Sequence, residues 1–482
     1  MPRRTKIVAT LGPATDDARV IDALIAAGVD VVRLNLSHDG HARHRQRAEQ
    51  VRERAAALGR DVGLLLDLQG PKIRIGRFRA GAIELDTGAP FAIDADCALD
   101  DGDEARVGTT YPAIIDDLRP GDRLLLDDGA IELEVEALAG RAAHCRVLIG
   151  GQLSNNKGIN KKGGGLSAPA LTDKDKADIA FAGEIQADYL AVSFVRHADD
   201  VREARALFTE AGGFGGIVAK IERAEALADI DAIIGASDAV MIARGDLGVE
   251  IGDAELPAVQ KELIRRAREL NCVVITATQM MQSMIEHPYP TRAEVFDVAN
   301  AVLDGTDAVM LSAETSIGRY PAKVVAAMHR ICEEAEKQRS ARRSTHRIDS
   351  VFGRVDEAIA MATMYTANHL GVKAIAALTE TGSTVKWMSR ISSGIPIYAP
   401  TRHVATRRKV TLFRGVYPVS FDVSSADIHE VNRDVVEVLL SQGIVRDGDL
   451  VIITKGDRSG VEGQTNIMKV MRVGEHRLPT DD

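Results

Sequence analysis

The chain has 482 residues, 45% of them hydrophobic and 27% charged, with a formal net charge of −10. That length predicts about two to four domains of ~100–200 residues each, with the composition of an ordinary globular protein. The acidic balance argues against a general binder of nucleic acid or anionic membranes, so any anionic ligand must be met by a local cluster of cations.

The four cysteines, Cys97, Cys145, Cys272 and Cys332, lie far apart with no C-x-x-C pair. They read as free thiols in a reducing cytoplasm rather than a disulfide or metal framework. No apolar stretch approaches the ~20 residues of a membrane span. The opening MPRRTKIVAT is basic but lacks an apolar core, so it does not read as a signal peptide. A cytoplasmic location is expected, with no nucleic-acid or membrane partner.

In chain order, short apolar runs recur, each with polar residues at its far end. They begin with KIVAT to Thr10, VDVVRLNLS through Arg33, Asn35 and Ser37, and VGLLLDL to Asp67. After a gap come DYLAVSF with Ser193, GIVAKIE with Lys220 and Glu222, and DAVMIARGD with Arg244 and Asp246. The last are CVVITATQ to Thr278 and DAVMLSAET to Ser312 and Glu314. Near-continuous Val/Ile/Leu runs suit parallel strands covered on both faces. Most are separated by segments with helical spacing, such as DDARVIDALIAAG, ADDVREARALFTEAG and LPAVQKELIRRARELN. Eight such alternations predict a closed (β/α)₈ barrel, whose catalytic residues sit at the C-terminal strand ends.

Residues 72–167 interrupt the pattern with alternating runs and turn signals, as in PGDRLLLDDGAIELEVEALAG. They predict an inserted small β-barrel domain acting as a lid over the barrel. Its return segment, GGQLSNNKGINKKGGGLSAP, reads as a mobile hinge loop. The catalytic barrel is then discontinuous, 1–71 and 168–340, followed by the basic linker RSARRSTHR. Residues 351–482 predict a C-terminal α/β domain, a candidate for effector binding and oligomerisation.

Residues two apart on a strand share a face. Arg33, Asn35 and Ser37 therefore point one way, as do Lys220 with Glu222 and, if the strand persists, Arg244 with Asp246. With Asp67, Thr278 and Glu314, these would gather at the barrel mouth. Paired carboxylates among cations suit a divalent metal plus an anionic substrate, and an oxygen-only ligand set favours Mg²⁺ or Mn²⁺. The plainer alternative is that the pairs only neutralise each other at a wet rim. The backbone N–H groups of Gly245 and Asp246, at a Gly-Asp turn before a helical turn, would suit a carboxylate or phosphate. A lyase barrel using Lys220 as a Schiff-base nucleophile and a non-catalytic regulatory barrel also stay open. His38, His41 and His44 fall on or beside a polar helical stretch and read as surface rather than metal ligands.

The motifs KIVATLGPAT, VVRLNLSH, GPKIR, AKIE, ARGDLGVEI, ATQMMQSM with PTRAEV, and MLSAET occur in this order, and together they resemble the pyruvate kinase family. The resemblance runs from residue 5 into the C-terminal domain. It implies phosphoryl transfer from phosphoenolpyruvate to ADP, with Mg²⁺ or Mn²⁺, in a homotetramer. Carried over by position, Arg33 and Lys220 bind the transferring phosphoryl group, and Glu222 and Asp246 hold the metal. Gly245, Asp246 and Thr278 hold the substrate carboxylate, with Thr278 also near the proton-delivery side. Asn35, Ser37, His38, Arg74 and Lys157 fall where the family binds nucleotide phosphates. Such chemistry needs positioning and charge neutralisation rather than a protein nucleophile.

One stretch departs from the commoner family pattern. Many members carry Thr, Lys and Glu where this chain has Leu68, Gln69 and Lys72, and those members require K⁺. The ion position there corresponds to Asn35, Ser37, Asp67 and the carbonyl of Leu68. An ammonium has the charge and about the size of K⁺, so the resemblance implies that Lys72 replaces the ion, serving Asp67 and substrate, and that K⁺ is not required. The alternative is a simple Asp67–Lys72 ion pair. In the C-terminal domain, TETGST, with Thr379, Thr381, Ser383 and Thr384, is either a phosphate loop for a sugar-phosphate or nucleotide effector or an ordinary helix cap.

Overall fold

The computed structural model describes residues 2–338, 351–422, 428–457 and 463–475. The predicted basic linker, 339–347, lies outside the described residues. Eight parallel strands close into a barrel in sequential order. They are β1 (Lys6–Thr10), β2 (Val31–Asn35), β3 (Gly63–Asp67), β4 (Tyr189–Val192), β5 (Gly216–Ile221), β6 (Ala239–Ala243), β7 (Val273–Ala277) and β8 (Ala308–Leu311).

Burial on both faces follows from the alternation of side chains. Ile7, Ala9, Val32, Leu34, Leu64, Leu66, Ile217 and Val240 pack outward against the helices. Val8, Val31, Leu65, Tyr189, Val218, Met241 and Ile275 fill the interior. Two residues beyond Val31, Leu65 and Val218 on that same inward register stand Arg33, Asp67 and Lys220. The core thus ends in charge at the C-terminal rim, which positions the site.

Helices return the chain between strands, with ends set by local chemistry. Asp17 caps Ala18–Ala27 by accepting from the Arg19 N–H, and Gly28, at φ 109°, closes that helix in the left-handed region. Among the described residues no helix is long and apolar enough to cross a membrane.

The insert after β3 has its own apolar core, including Ile75, Phe78, Phe91, Leu124, Leu133 and Val147. Its strands form a six-stranded and a two-stranded sheet. The return segment is not the free hinge loop expected: Gly151–Ser154 pairs with Ala82–Leu85, and Ile159–Lys161 with Arg123–Leu126. Gly163, Gly164 and Gly165 turn the chain after these strands, all at positive φ of 78–93°, and they are clamped to the barrel. Gly163 N–H donates to the Glu250 carbonyl at 3.1 Å, and Gly165 N–H donates to the Glu225 carboxylate.

The C-terminal domain is a five-stranded sheet flanked by helices. Its last strand, Thr465–Arg472, was not anticipated and pairs antiparallel with Leu450–Gly456. The domain seals the N-terminal end of the barrel. Tyr189, buried in the barrel interior, donates from its hydroxyl to the Lys409 carbonyl at 2.6 Å. Arg390 grips Asp307 through both terminal nitrogens, one at 2.8 Å, with both side chains almost fully buried. Removing one partner of such a pair leaves a stranded buried charge. Arg390→Met is therefore expected to lower stability by about 3–5 kcal/mol, read as a drop in the urea midpoint.

Candidate active site at the barrel mouth

The inward ends of β2, β3 and β5 build one continuous charged chain. Arg33 Nε donates to Asp67 Oδ2 at 2.6 Å, and its Nη1 to the Thr10 hydroxyl at 3.1 Å. Lys220 Nζ lies 3.3 Å from Asp67 Oδ1 and 2.9 Å from Glu222 Oε1, and it donates to Ser193 Oγ at 2.6 Å. Ser193 passes its own proton to the Leu68 carbonyl at 2.8 Å. Glu222 also accepts from the Phe194 N–H at 2.8 Å.

Burial and charge compete at each of these groups. Burial pulls Lys220 down, yet the carboxylates of Asp67 and Glu222 outweigh it and hold the ammonium above lysine's ordinary value. Burial pushes Asp67 up, but Lys220 and Arg33 together hold it below the usual carboxylate range. Glu222 goes the other way: burial, with the nearby charge of Asp246, raises it despite Lys220. The mouth therefore carries two fixed cations around one firmly ionised carboxylate, beside a second carboxylate that is held less comfortably.

Asp246 does not share a strand face with Arg244. β6 stops at Ala243, and Arg244–Ile251 is a helix, so the two side chains diverge. Arg244 turns away to a bidentate pair with Asp297 at 2.7 and 2.8 Å. Gly245, in that first turn, donates its N–H to Thr278 Oγ1 at 2.9 Å, which joins the ends of β6 and β7. Thr278 itself sits at φ 66° and Gln279 at φ 54°, a left-handed pair that costs backbone energy and aims the Thr278 side chain at Gly245.

Lys72 is not on Asp67, whose oxygens are taken by Arg33 and Lys220. Its Nζ lies 3.7 Å from Asp246 Oδ1. The turn at Gly70 carries the chain past β3 toward the helix that follows β6, so sequence proximity to Asp67 misleads. Glu314 lies beyond the C-terminal end of β8, but its carboxylate is engaged by backbone, accepting from the Ser312 N–H at 2.6 Å and the Met281 N–H at 3.3 Å. Asn35 accepts from the Ser37 N–H at 3.2 Å, with Ser37 and His38 exposed on the loop beyond β2.

Arg74 and Lys157 belong to the insert. Arg74 donates to the Asn156 carbonyl at 2.8 Å and Lys157 pairs with Asp127 at 2.7 Å. His41 pairs with Asp178 at 2.6 Å and stacks on Phe181, and His44 meets the His38 carbonyl at 2.7 Å. Both contacts are structural. Thr379, Thr381, Ser383 and Thr384 lie in the C-terminal domain, where Gly382 N–H donates to the Thr379 hydroxyl at 2.9 Å and Thr384 meets Thr465 at 2.7 Å.

One role and one residue are not legible in the sequence. Ser193 reads only as the polar end of its strand, and its bridging of Lys220 to Leu68 depends on neighbours in space. Glu250 is a buried carboxyl where the insert meets the barrel, accepting from the Ala224 N–H at 2.8 Å. It lines a cleft with Lys72, Asn160, Arg223 and Asp246. Burial pushes it up to about 7, despite the Ala224 N–H. The folded protein thus binds more protons than the unfolded chain between about pH 4.5 and 7, and stability falls as pH rises through that window. Glu250→Gln, which keeps an oxygen for Ala224, is expected to be more stable than wild type by about 1–3 kcal/mol at pH 8. Urea unfolding should show that advantage vanish near pH 4.5.

Comparison with known proteins agrees with this geometry. Residues 2–325 match the family model "Pyruvate kinase, barrel domain", and residues 357–471 match "Pyruvate kinase, alpha/beta domain". Pyruvate kinase II of Salmonella typhimurium is 56% identical over 475 residues, covering 98% of this chain and 99% of the relative. The pyruvate kinase of Haemophilus influenzae is 52% identical with the same coverage, and that of Mycobacterium intracellulare 43% identical over 477 residues, again 98% and 99%. An inward-facing charged cluster at the C-terminal end of an eight-stranded barrel, with both family models matched in order, establishes that the chain belongs to the pyruvate kinase family and is a phosphotransferase.

Proposed function

We propose that the chain transfers the phosphoryl group of phosphoenolpyruvate to ADP, giving pyruvate and ATP, at the mouth formed by β2, β3 and β5. The observation that carries this reading is Lys220, fixed between Asp67, Glu222 and Ser193 with Arg33 on the same carboxylate. In the reaction the ester P–O bond to the enol oxygen breaks and a P–O bond to the ADP terminal phosphate forms. The enolate left behind gains a proton at its methylene carbon. Arg33 and Lys220 neutralise charge on the phosphoryl oxygens as they pass between the two partners. The N–H groups of Gly245 and Asp246, with Thr278, orient the carboxylate, for which Gly245 exchanges its bond to the Thr278 hydroxyl, and Thr278 serves the proton-delivery side.

Glu222 and Asp246 fit a divalent cation. Burial, and after it the charge of Asp246, raises Glu222, and such an ion would relieve the repulsion between the two carboxylates. Among the described residues no group of three or more His, Cys, Asp or Glu gathers at one point, and Mg²⁺ needs only one or two protein carboxylates when substrate oxygens complete its shell. When bound, Mg²⁺ or Mn²⁺ supplies further positive charge at the substrate oxygens.

Asn35, Ser37, His38, Arg74 and Lys157 serve the ADP phosphates. The partly exposed Lys157–Asp127 pair is worth little in water and is readily given up to a phosphate as the insert closes. Thr379, Thr381, Ser383 and Thr384 serve an anionic effector, and the assembled form is a homotetramer. A Schiff-base role for Lys220 is disfavoured, because an amine held above its ordinary value by two carboxylates stays protonated.

Lys72 supplies a fixed positive charge at the mouth in place of K⁺, acting from beside Asp246. Lys220→Met is expected to lower kcat by ~10²–10³-fold, and near-wild-type turnover would refute the role. In buffer free of K⁺ and Na⁺ the wild type should show nearly full activity. A many-fold rise on adding KCl removes the Lys72 reading while leaving the reaction untouched.

A further inference from the structure

A second cationic site lies at the opposite end of the barrel from the mouth, in a small cavity between the barrel and the C-terminal domain. Arg4 and Arg268 line it from the barrel, and Ser392, Ser393 and Arg414 from the C-terminal domain. It offers about 20 Å³ to the centres of water-sized atoms, where one water needs roughly 10–15 Å³. One small inorganic anion fits; a nucleotide or a sugar does not.

Among the described residues the charges around it do not balance. There the guanidiniums of Arg4, Arg268, Arg390 and Arg414 are served by two carboxylates, Asp307 and Glu336. Both are already committed. Asp307 is gripped by Arg390 and accepts from the Val274 N–H at 2.9 Å and the Arg414 N–H at 3.3 Å. Glu336 accepts from the N–H groups of Arg4 and Thr5, the Thr5 hydroxyl and Arg4 Nε.

The direct contacts of the other two guanidiniums are neutral, although Arg414 lies near enough to Glu336 to lower it. Arg268 Nη2 reaches the Arg390 carbonyl at 3.3 Å and the Ser392 hydroxyl at 2.9 Å. Arg414 Nη1 reaches the Val302 and Thr306 carbonyls at 3.3 and 2.6 Å. Among the described residues neither has a carboxylate within ion-pair distance. These contacts occupy one terminal nitrogen of each guanidinium and leave further donors for a ligand. Ser392, which accepts from Arg268, keeps its own proton to donate. The helix end at Val302 and Thr306 favours a cation, which explains Arg414 but not the crowding of Arg268 beside it. That crowding has a cost: burial, with Arg414 and Arg390 adding to it, pulls Arg268 down to about 10.

We propose that this cavity binds one small inorganic anion, held by Arg268, Arg414 and the Ser392 hydroxyl, which ties the barrel to the C-terminal domain. Because its ligands come from both domains, the anion binds only their docked arrangement and stabilises it by mass action.

The test uses the full-length protein and two anomalous probes: bromide standing for a halide and selenate for a tetrahedral oxyanion, each at about 10 mM. A peak between Arg268 and Arg414 with either probe is expected in wild-type crystals and is expected to vanish in Arg414→Gln. In solution, phosphate or chloride at constant ionic strength should raise the wild-type melting temperature by about 2 °C more than that of Arg414→Gln. The other anion sites are the same in both proteins, so the difference isolates the cavity. Should Arg414→Gln fail to fold, Arg268→Lys replaces it, keeping the charge but losing the planar fork, with affinity expected to fall about tenfold. No peak with either probe, a peak only at molar concentration (an adventitious ion only), or equal anion responses in wild type and variant overturns the proposal.

Discussion

The functional end of this molecule depends on one fully buried carboxylate. Asp67 closes the inward register of β3, and its two oxygens are divided between Arg33 and Lys220. A lone ionised carboxylate at that depth would be prohibitively costly. With two cations it is stabilised, and it in turn fixes both cations at the C-terminal rim, where the proposed reaction would bring a substrate's negative charge. In the reaction proposed above neither Arg33 nor Lys220 would need to be reorganised, which is the physical content of electrostatic preorganisation. Glu222, with its raised value and its contact to Lys220, is the more readily reassigned partner.

The barrel uses a related device at its other end to different effect. There the buried Asp307–Arg390 pair and the Tyr189 hydroxyl join the barrel to the C-terminal domain rather than to a ligand. The apolar interior of the barrel runs continuously into the core of that domain, from Val218 and Met241 through Tyr189 to Ile375 and Val410. A change at this base is therefore transmitted through close-packed side chains, which resist small deformation. The mouth and the base are two faces of one packed column.

Several of the contacts by which the insert meets this column carry charge. Lys72 reaches Asp246, Gly163 and Gly165 hang from Glu250 and Glu225, and Glu250 is a buried carboxyl near neutrality. Consecutive glycines at positive φ let the chain change direction there without Cβ strain.

Eight apolar runs, each ending in a polar residue, determined the barrel and the end at which its charged residues gather, because burial on both faces demands continuous Val, Ile and Leu, and the strand period is two. The same period put Arg33, Asp67 and Lys220 on the inward face. What the linear order could not supply were the partners. Lys72 is five residues from Asp67 but meets Asp246, Arg244 leaves the mouth for Asp297, and Glu314 serves backbone N–H groups. Ser193, Glu250 and the crowded Arg268 and Arg414 acquire meaning only from neighbours far along the chain. Local periodicity is a property of the strand and can be read in one dimension. Charge pairing is decided by distance in three, and only the closing of the barrel and the docking of the domains set those distances.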